Sequence, residues 1–316
     1  MRKILSILCL LSFAFSLSAQ EGKTGFDYLL LPASTRISAL GGVNVSIIEN
    51  DLSTVYHNPA FLGQEMDKTI DANYLNYIAD VGVGSVSFAK AIGERSAWGI
   101  GVNYANYGKM YETTQDQQVL GSLKASDICG NIFFSRDLSE KLRGGVDAKF
   151  IYSDYAHNTA IGLGVDLGLS YYDRDRNLSV GLVSRNMGRQ IKAYEDELAN
   201  LPWDVQLGFS KKIAHAPIRY SLTMHDINRL TAYSFVRHFV VSLEFLPTEN
   251  FWIGAAYNLK RASDMQIADG NKFAGFSFGA GLRVKAFAFG FSVAQYHPSA
   301  TAFMFGVSTS LAEMKL

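Results

Sequence analysis

The stretch 160–171, AIGLGVDLGLSY, alternates without a break. Ile161, Leu163, Val165, Leu167, Leu169 and Tyr171 fall on one side of an extended chain, and Ala160, Gly162, Gly164, Asp166, Gly168 and Ser170 on the other. A period of two marks a β-strand, because successive side chains of a pleated chain point to opposite faces. The same split recurs in 97–107, where Trp98, Ile100, Val102 and Tyr104 oppose Gly99, Gly101, Asn103 and Ala105, and again in 142–152, 275–284 and 287–293. A soluble sandwich would turn its large apolar residues inward and cover its outer face with charge. Here the second face carries glycine, serine and alanine with only scattered Arg143, Asp147, Lys149, Asp166, Arg185, Glu244 and Arg283, too small and sparse for a solvated surface. A narrow polar lumen, with the apolar face turned to lipid, fits the pattern.

Composition agrees. The 316 residues include 28 glycines, 16 tyrosines and 21 phenylalanines but only 6 prolines, a mix that suits strands better than helices. With 29 basic against 29 acidic residues, the chain has no electrostatic footprint for nucleic acid. Residues 1–19 read as a secretory signal peptide: Arg2 and Lys3 precede an apolar run from Ile4 to Leu17, and small residues follow at Ser18 and Ala19. Cys9 leaves with that leader, so Cys129 is the single mature cysteine and no intramolecular disulfide forms. Beyond the leader no apolar run is long enough for a membrane helix. An exported chain without such a helix is either soluble or an outer-membrane barrel, and the strand pattern favours the barrel.

Alternation delimits about fourteen strands, an even number as bacterial barrels require: 69–78, 82–92, 95–107, 125–137, 141–154, 159–172, 177–187, 203–213, 217–226, 236–246, 250–260, 273–284, 287–296 and 302–311. Connections after even strands are short, whereas those at 108–124, 188–202, 227–235 and 261–272, all after odd strands, are long. That asymmetry separates periplasmic turns from external loops and places both termini in the periplasm. Tyr74, Tyr77, Tyr107, Tyr152, Tyr155, Trp203 and Trp252, at strand ends, are candidates for the interfacial aromatic girdles. The helix-forming composition of 190–199, QIKAYEDELA, suggests a short surface helix. Residues 20–66 precede the wall and read as a plug for the lumen, and 67–316 as one barrel domain. Asp51, Ser53, Asn58 and Pro59 fit the plug, and equally fit an ordinary capped turn before the first strand.

Catalytic signals are weak. Residues 275–279, GFSFG, match a nucleophile-elbow pattern but lie inside an alternating strand, where the required strand-turn-helix cannot form. Gly82 and Gly84 begin a dinucleotide fingerprint that Ser87 breaks. His57, His157, His215, His225, His238 and His297 show no paired ligand spacing, so neither a metal site nor a cofactor is expected. His225, near an external strand end, is the one candidate for a lipid-modifying enzyme, and no nucleophile accompanies it.

Residues 51–60, DLSTVYHNPA, resemble the D-x-S-x-x-x-x-N-P-A signature of the FadL-like outer-membrane proteins. The resemblance implies a fourteen-stranded barrel with an N-terminal plug whose motif residues are Leu40, Gly41, Gly42, Asp51, Ser53, Asn58, Pro59 and Ala60. Residues 26–36, FDYLLLPASTR, and 39–42, ALGG, look like a narrower subgroup, the PorV and PorQ proteins of the type IX secretion system, with the PorQ branch the more similar. This likeness implies a non-enzymatic subunit of the surface attachment complex. It would work beside PorU and PorV in a bilayer carrying lipopolysaccharide, and hold a PorZ-like surface partner through its external loops. Tyr111, Gln115, Lys192, Tyr194, Asp264 and Asn271 are then the candidate contacts. The alternative is a FadL-type channel for uptake of hydrophobic small molecules, which needs an apolar pocket between plug and wall. The parity of the strands makes one prediction at once. In a membrane-refolding titration, Leu167→Arg, on the lipid face, costs about 2–4 kcal/mol and Gly168→Ser, on the lumen face, far less.

Overall fold

The computed structural model describes residues 24–113, 119–156, 158–194, 197–230, 234–265, 273–297 and 300–314. Its strands are β1 (Thr69–Asn76), β2 (Gly82–Ile92), β3 (Ser96–Thr113), β4 (Val119–Asp137), β5 (Leu142–Tyr155), β6 (Asn158–Asp173) and β7 (Leu178–Lys192), followed by β8 (Asp204–Lys212), β9 (Ile218–Met224), β10 (Phe239–Thr248), β11 (Phe251–Asn258), β12 (Phe276–Val284), β13 (Phe287–His297) and β14 (Ala300–Ser310). Each pairs antiparallel with its sequence neighbours, and β1 closes on β14 from Thr69↔Ser310 to Asn76↔Phe303, so no edge is left open.

Alternation sets which way each side chain faces. On β6, Leu163, Val165, Leu167 and Leu169 are exposed to the outside, while Ala160, Asp166 and Ser170 are buried inside. Phe276, Phe278, Leu282, Phe287, Phe289, Phe291 and Phe305 continue the outer apolar surface across β12, β13 and β14. The proposed girdle divides. Tyr74 and Tyr152 do stand outward, whereas Tyr155, though exposed at the strand end, shares the phase of the buried Ile151 and Ser153 and meets the ring of Tyr194. Tyr77 packs instead against the inner core, Trp252 lies under Arg36, and Tyr107 bonds the inward Asp127. Tyr77 and Tyr107 follow the phase of the buried Leu75 and Ala105, and phase outranks position along the strand.

Two loop expectations change. Much of 108–124 is a continuation of the β3–β4 ladder, paired as far as Thr113↔Val119. The helix expected at 190–199 is absent from its described residues: β7 runs on to Lys192, and Gln190 N–H donates to the Ala199 carbonyl at 2.9 Å. Backbone groups that a helix would satisfy internally are met across this folded-back connection. A short helix α2 (Leu259–Asp264) occurs in the last long loop, where Asn258 Oδ1 accepts from Arg261 N–H at 3.0 Å.

The described part of the N-terminal segment, 24–66, is packed against the inner wall. It begins at the long-loop end, where Thr24 bridges Asn200, and descends through helix α1 (Thr35–Ala39) to the short-turn end, where Gln64 Nε2 donates to the Ser96 carbonyl at 2.6 Å. After β14, Leu311 N–H donates to the Lys68 carbonyl at the short-turn end. The first and last described residues therefore lie at opposite ends of the barrel. Residues 1–23, which include the expected leader, lie outside the described residues.

The small inner face is a seat for this segment. A β-carbon on Gly145 would fall 2.3 Å from the Pro59 carbonyl carbon, and one on Gly181 only 1.6 Å from the Val45 carbonyl oxygen. Backbone lies against backbone at both places, and only glycine permits the approach. Gly168 is similarly occupied, its missing β-carbon 2.1 Å from Asn58 Oδ1 and 3.0 Å from Pro59 Cδ. Gly168→Ser thus collides with the segment, and the mild effect expected of a lumen substitution does not apply. Gly181→Ala is predicted to destabilise the folded barrel by at least about 1–3 kcal/mol through overpacking. Gly130→Ala, with nothing within 4 Å, is the near-neutral control in the same denaturant titration in detergent micelles.

Candidate functional site

The signature residues form the fastening of the N-terminal segment. Asp51 Oδ1 accepts Ser53 N–H at 3.1 Å and Ser53 Oγ at 2.5 Å, capping the short turn Leu52–Tyr56. Asn58 Oδ1 accepts Ala60 N–H at 3.0 Å and so caps Pro59–Phe61. Its Nδ2 lies 3.2 Å from the Val45 carbonyl and 3.4 Å from that of Leu169 on the wall. One side chain thus ties two stretches of the segment to β6. Gly41 and Gly42 have φ of 95° and 80°, a region that favours glycine, and follow the fully buried Leu40. The Gly41 carbonyl turned out by this conformation accepts from Asn258 Nδ2 at 3.1 Å and Arg261 Nη2 at 3.0 Å. His57 is buried, its Nε2 accepting Ala33 N–H at 3.3 Å. These residues do the work of capped turns and of wall contacts together.

Charge inside the barrel is arranged in balanced groups. Arg36 donates from Nε to Glu244 Oε1 at 2.8 Å and lies 3.3 Å from Glu49, while Arg219 contacts the same two carboxylates at 2.6 Å each. Arg36 also stacks 5.1 Å from the centroid of Trp252. Higher on the wall, Lys149 lies 2.6 Å from Asp166 and 3.9 Å from Asp147, with Arg185 3.9 Å from Asp166. Each group holds two cations and two anions, which makes its burial tolerable.

A third cluster escaped the sequence reading because its members come together only where strands end. Asp204, His225 and Asp226 present ligand atoms within 4.8 Å of one another and could hold a metal ion. Lys260 Nζ bonds Asp226 Oδ2, supplying a cation there without a metal. Burial alone would push the Asp226 carboxyl up, but His225 and Lys260 hold it below the usual carboxylate range.

At the long-loop end a cavity of about 640 Å³ opens between the N-terminal segment and the wall. Phe26, Tyr28 and Leu31 line it from the segment, and Tyr77, Val81, Tyr107, Met110, Tyr155 and Tyr194 from the strand ends and loops. The cavity surface is mostly apolar. Its polar element is a relay: Tyr107 donates to Asp127 Oδ2 at 2.5 Å, Ser153 donates to Asp127 Oδ1, and the Tyr194 hydroxyl meets Ser153 Oγ. A larger hollow of about 860 Å³ lies on the outer wall among Phe289, Phe291 and Phe305, a surface that faces lipid.

Of the residues expected to contact a partner, the structure brings only Tyr194 into this cavity. Lys192 is exposed and bonds Thr159 Oγ1 at 2.5 Å, and Asp264 on α2 pairs with Arg237. Tyr111 lies in β3 opposite Ser122, and Gln115 and Asn271 lie outside the described residues. Tyr28, Tyr107 and Asp127 were missed, although strand parity already turned the last two inward.

No protein-family model matches the sequence, and no curated protein matches it. Solved structures do resemble it. The toluene transporter TodX of Pseudomonas putida superimposes with a TM-score of 0.59 at 12% identity, covering 90% of this chain and 99% of that one. A monoaromatic hydrocarbon channel, CymD, gives 0.59 at 12% identity with 89% and 98% covered. A FadL homologue of Pseudomonas aeruginosa gives 0.55 at 12% identity with 88% and 98% covered. The fold is that of the FadL-like outer-membrane barrels. Arg36→Met should lower stability by about 3–5 kcal/mol, since Glu49 and Glu244 lose one of their two cations. Adding Glu244→Gln should restore part of that loss in the same thermal unfolding measurement.

Proposed function

We propose that this protein is a non-enzymatic outer-membrane barrel that takes up small hydrophobic molecules, with its long-loop end outside and its short turns in the periplasm. The observation that carries the reading is the cavity at the long-loop end. It is concave, aromatic, of ligand size, and built between the N-terminal segment and the wall, which is where an uptake channel needs its apolar pocket. The shared fold with a toluene transporter and a monoaromatic hydrocarbon channel supports it.

The second reading is a PorQ-like docking subunit of type IX secretion, anchoring a PorZ-like partner. It is favoured by the motifs at 26–36 and 39–42 and by the exposed Lys192 and Asp264, which stand at the long-loop end where a surface partner would sit. A stoichiometric surface protein co-purifying from mildly solubilised outer membrane would favour this docking role.

The uptake reading is tested with purified barrel in detergent and the fluorescent neutral probe 1-N-phenylnaphthylamine. Val81 lines the cavity from the β1–β2 loop, and its fold contacts include backbone bonds with Tyr77 and Ile78 that a new side chain leaves in place. Saturable binding that weakens about tenfold or more in Val81→Arg is the expected result. Binding unchanged by Val81→Arg would count against the cavity as the entry site.

A further inference from the structure

The mouth cavity carries a charge pattern that a pocket for neutral hydrocarbons does not need. Among the described residues, three carboxylates line it, Asp27, Asp127 and Asp154, and no basic side chain does. Asp27 and Asp154 stand at the exposed rim, whereas Asp127 is 5% exposed and lies at the base of the hydroxyl relay. None of the three has an ion pair among the described residues, in contrast to Asp147, Asp166, Glu49 and Glu244 deeper in the barrel. The neighbouring cations have other partners, an anion for Lys149 and uncharged groups for Lys192 and Arg261. Lys149 is held by Asp166, Lys192 by Thr159, and Arg261 by the Gly41 carbonyl and the face of Tyr296 behind Tyr77.

The direction of the hydrogen bonds adds to this. Ser153 and Tyr107 both donate to Asp127, so the Tyr194 hydroxyl donates to Ser153. Three hydroxyl protons are thus drawn toward one carboxylate, the arrangement that an ionised Asp127 would organise. The Tyr28 hydroxyl, in a residue 6% exposed, lines the cavity with no hydrogen-bond partner among the described residues. A buried carboxyl group without a counter-ion, beside tyrosine rings whose faces are electronegative, is an environment in which a desolvated organic cation is stabilised.

We propose that the mouth cavity selects amphiphilic organic cations, an ammonium group joined to an apolar or aromatic body. The ammonium lies near Asp127 among Tyr28, Tyr107 and Tyr194, and the apolar body against Phe26, Leu31 and Val81. The inference rests on the reading of this cavity as the ligand site and adds the charge of its ligand.

The test uses the full-length barrel in neutral detergent and two probes of nearly equal shape, benzyltrimethylammonium and the uncharged neopentylbenzene, with phenylacetate as the anionic comparison. Each is titrated by displacement of 1-N-phenylnaphthylamine. The cation should bind about tenfold or more tighter than its neutral isostere, and phenylacetate weakest. Asp127→Asn, whose amide can accept from one of Tyr107 and Ser153 and donate to the other, should remove most of that preference, bringing the affinity for the cation down toward that for neopentylbenzene measured in the same variant. Retained heat-modifiable migration in electrophoresis establishes that the variant is folded. Equal affinity for cation and isostere, or a preference that survives Asp127→Asn, overturns the charge selection while the cavity remains a hydrophobic site. Failure of every probe to displace 1-N-phenylnaphthylamine, with Val81→Arg also silent, overturns both.

Discussion

A barrel of fourteen strands encloses more space than its own small inward side chains can fill, and the contact that resolves this is backbone against backbone. Pro59 rests on Gly145 and Val45 on Gly181, at distances where even a methyl group would overlap a main-chain atom. Much else in the interior follows from that approach. Because the wall gives up its side chains at these points, the N-terminal segment can bring its own main chain to the strands, and Asn58 can reach the Leu169 carbonyl while capping its own turn. The inner face reads as a polar lumen in one dimension and is a fitted seat in three.

Buried charge is subject to a related constraint. An ion enclosed by the barrel must find its counter-ion inside, and Arg36 with Arg219, Glu49 and Glu244 draws its members from both the segment and the wall. The group is therefore a cross-link as well as a neutralisation. Lys149, Asp147, Asp166 and Arg185 play the same part within the wall alone. Asp127 departs from this economy at the long-loop end, in contact with hydroxyls and not with cations, and that departure coincides with the aromatic cavity.

The strand pattern was legible almost throughout because its cause is local. Each residue's neighbours in sequence decide which face it takes, so 160–171 revealed its orientation unaided, and the alternation of short and long connections followed. The inward turn of Tyr77 and Tyr107 was legible too, by the same parity, although their position at strand ends suggested lipid headgroups. Asp51 and Asn58 fitted a capped turn by residue type, and in the structure both cap turns.

What the chain alone could not show depends on registers across distant strands. That Gly168 faces Asn58, that Glu244 completes a group with Arg36, and that Asp204 meets His225 and Asp226 are consequences of closure, which brings together positions far apart in sequence. The extended β3–β4 hairpin and the folded-back 190–199 connection were likewise settled by ladder bonds available only once the partner strand was in place. The cavity of the mouth belongs to the same kind of fact, since Tyr28 comes from the N-terminal segment, Tyr107 and Asp127 from one hairpin and Tyr194 from a distant loop. Sequence by itself determined the strands, their faces and the barrel, because these follow from a local period of two. Tertiary structure decided the seat, the charge groups and the site, because each requires side chains and main chain that only the closed barrel makes neighbours.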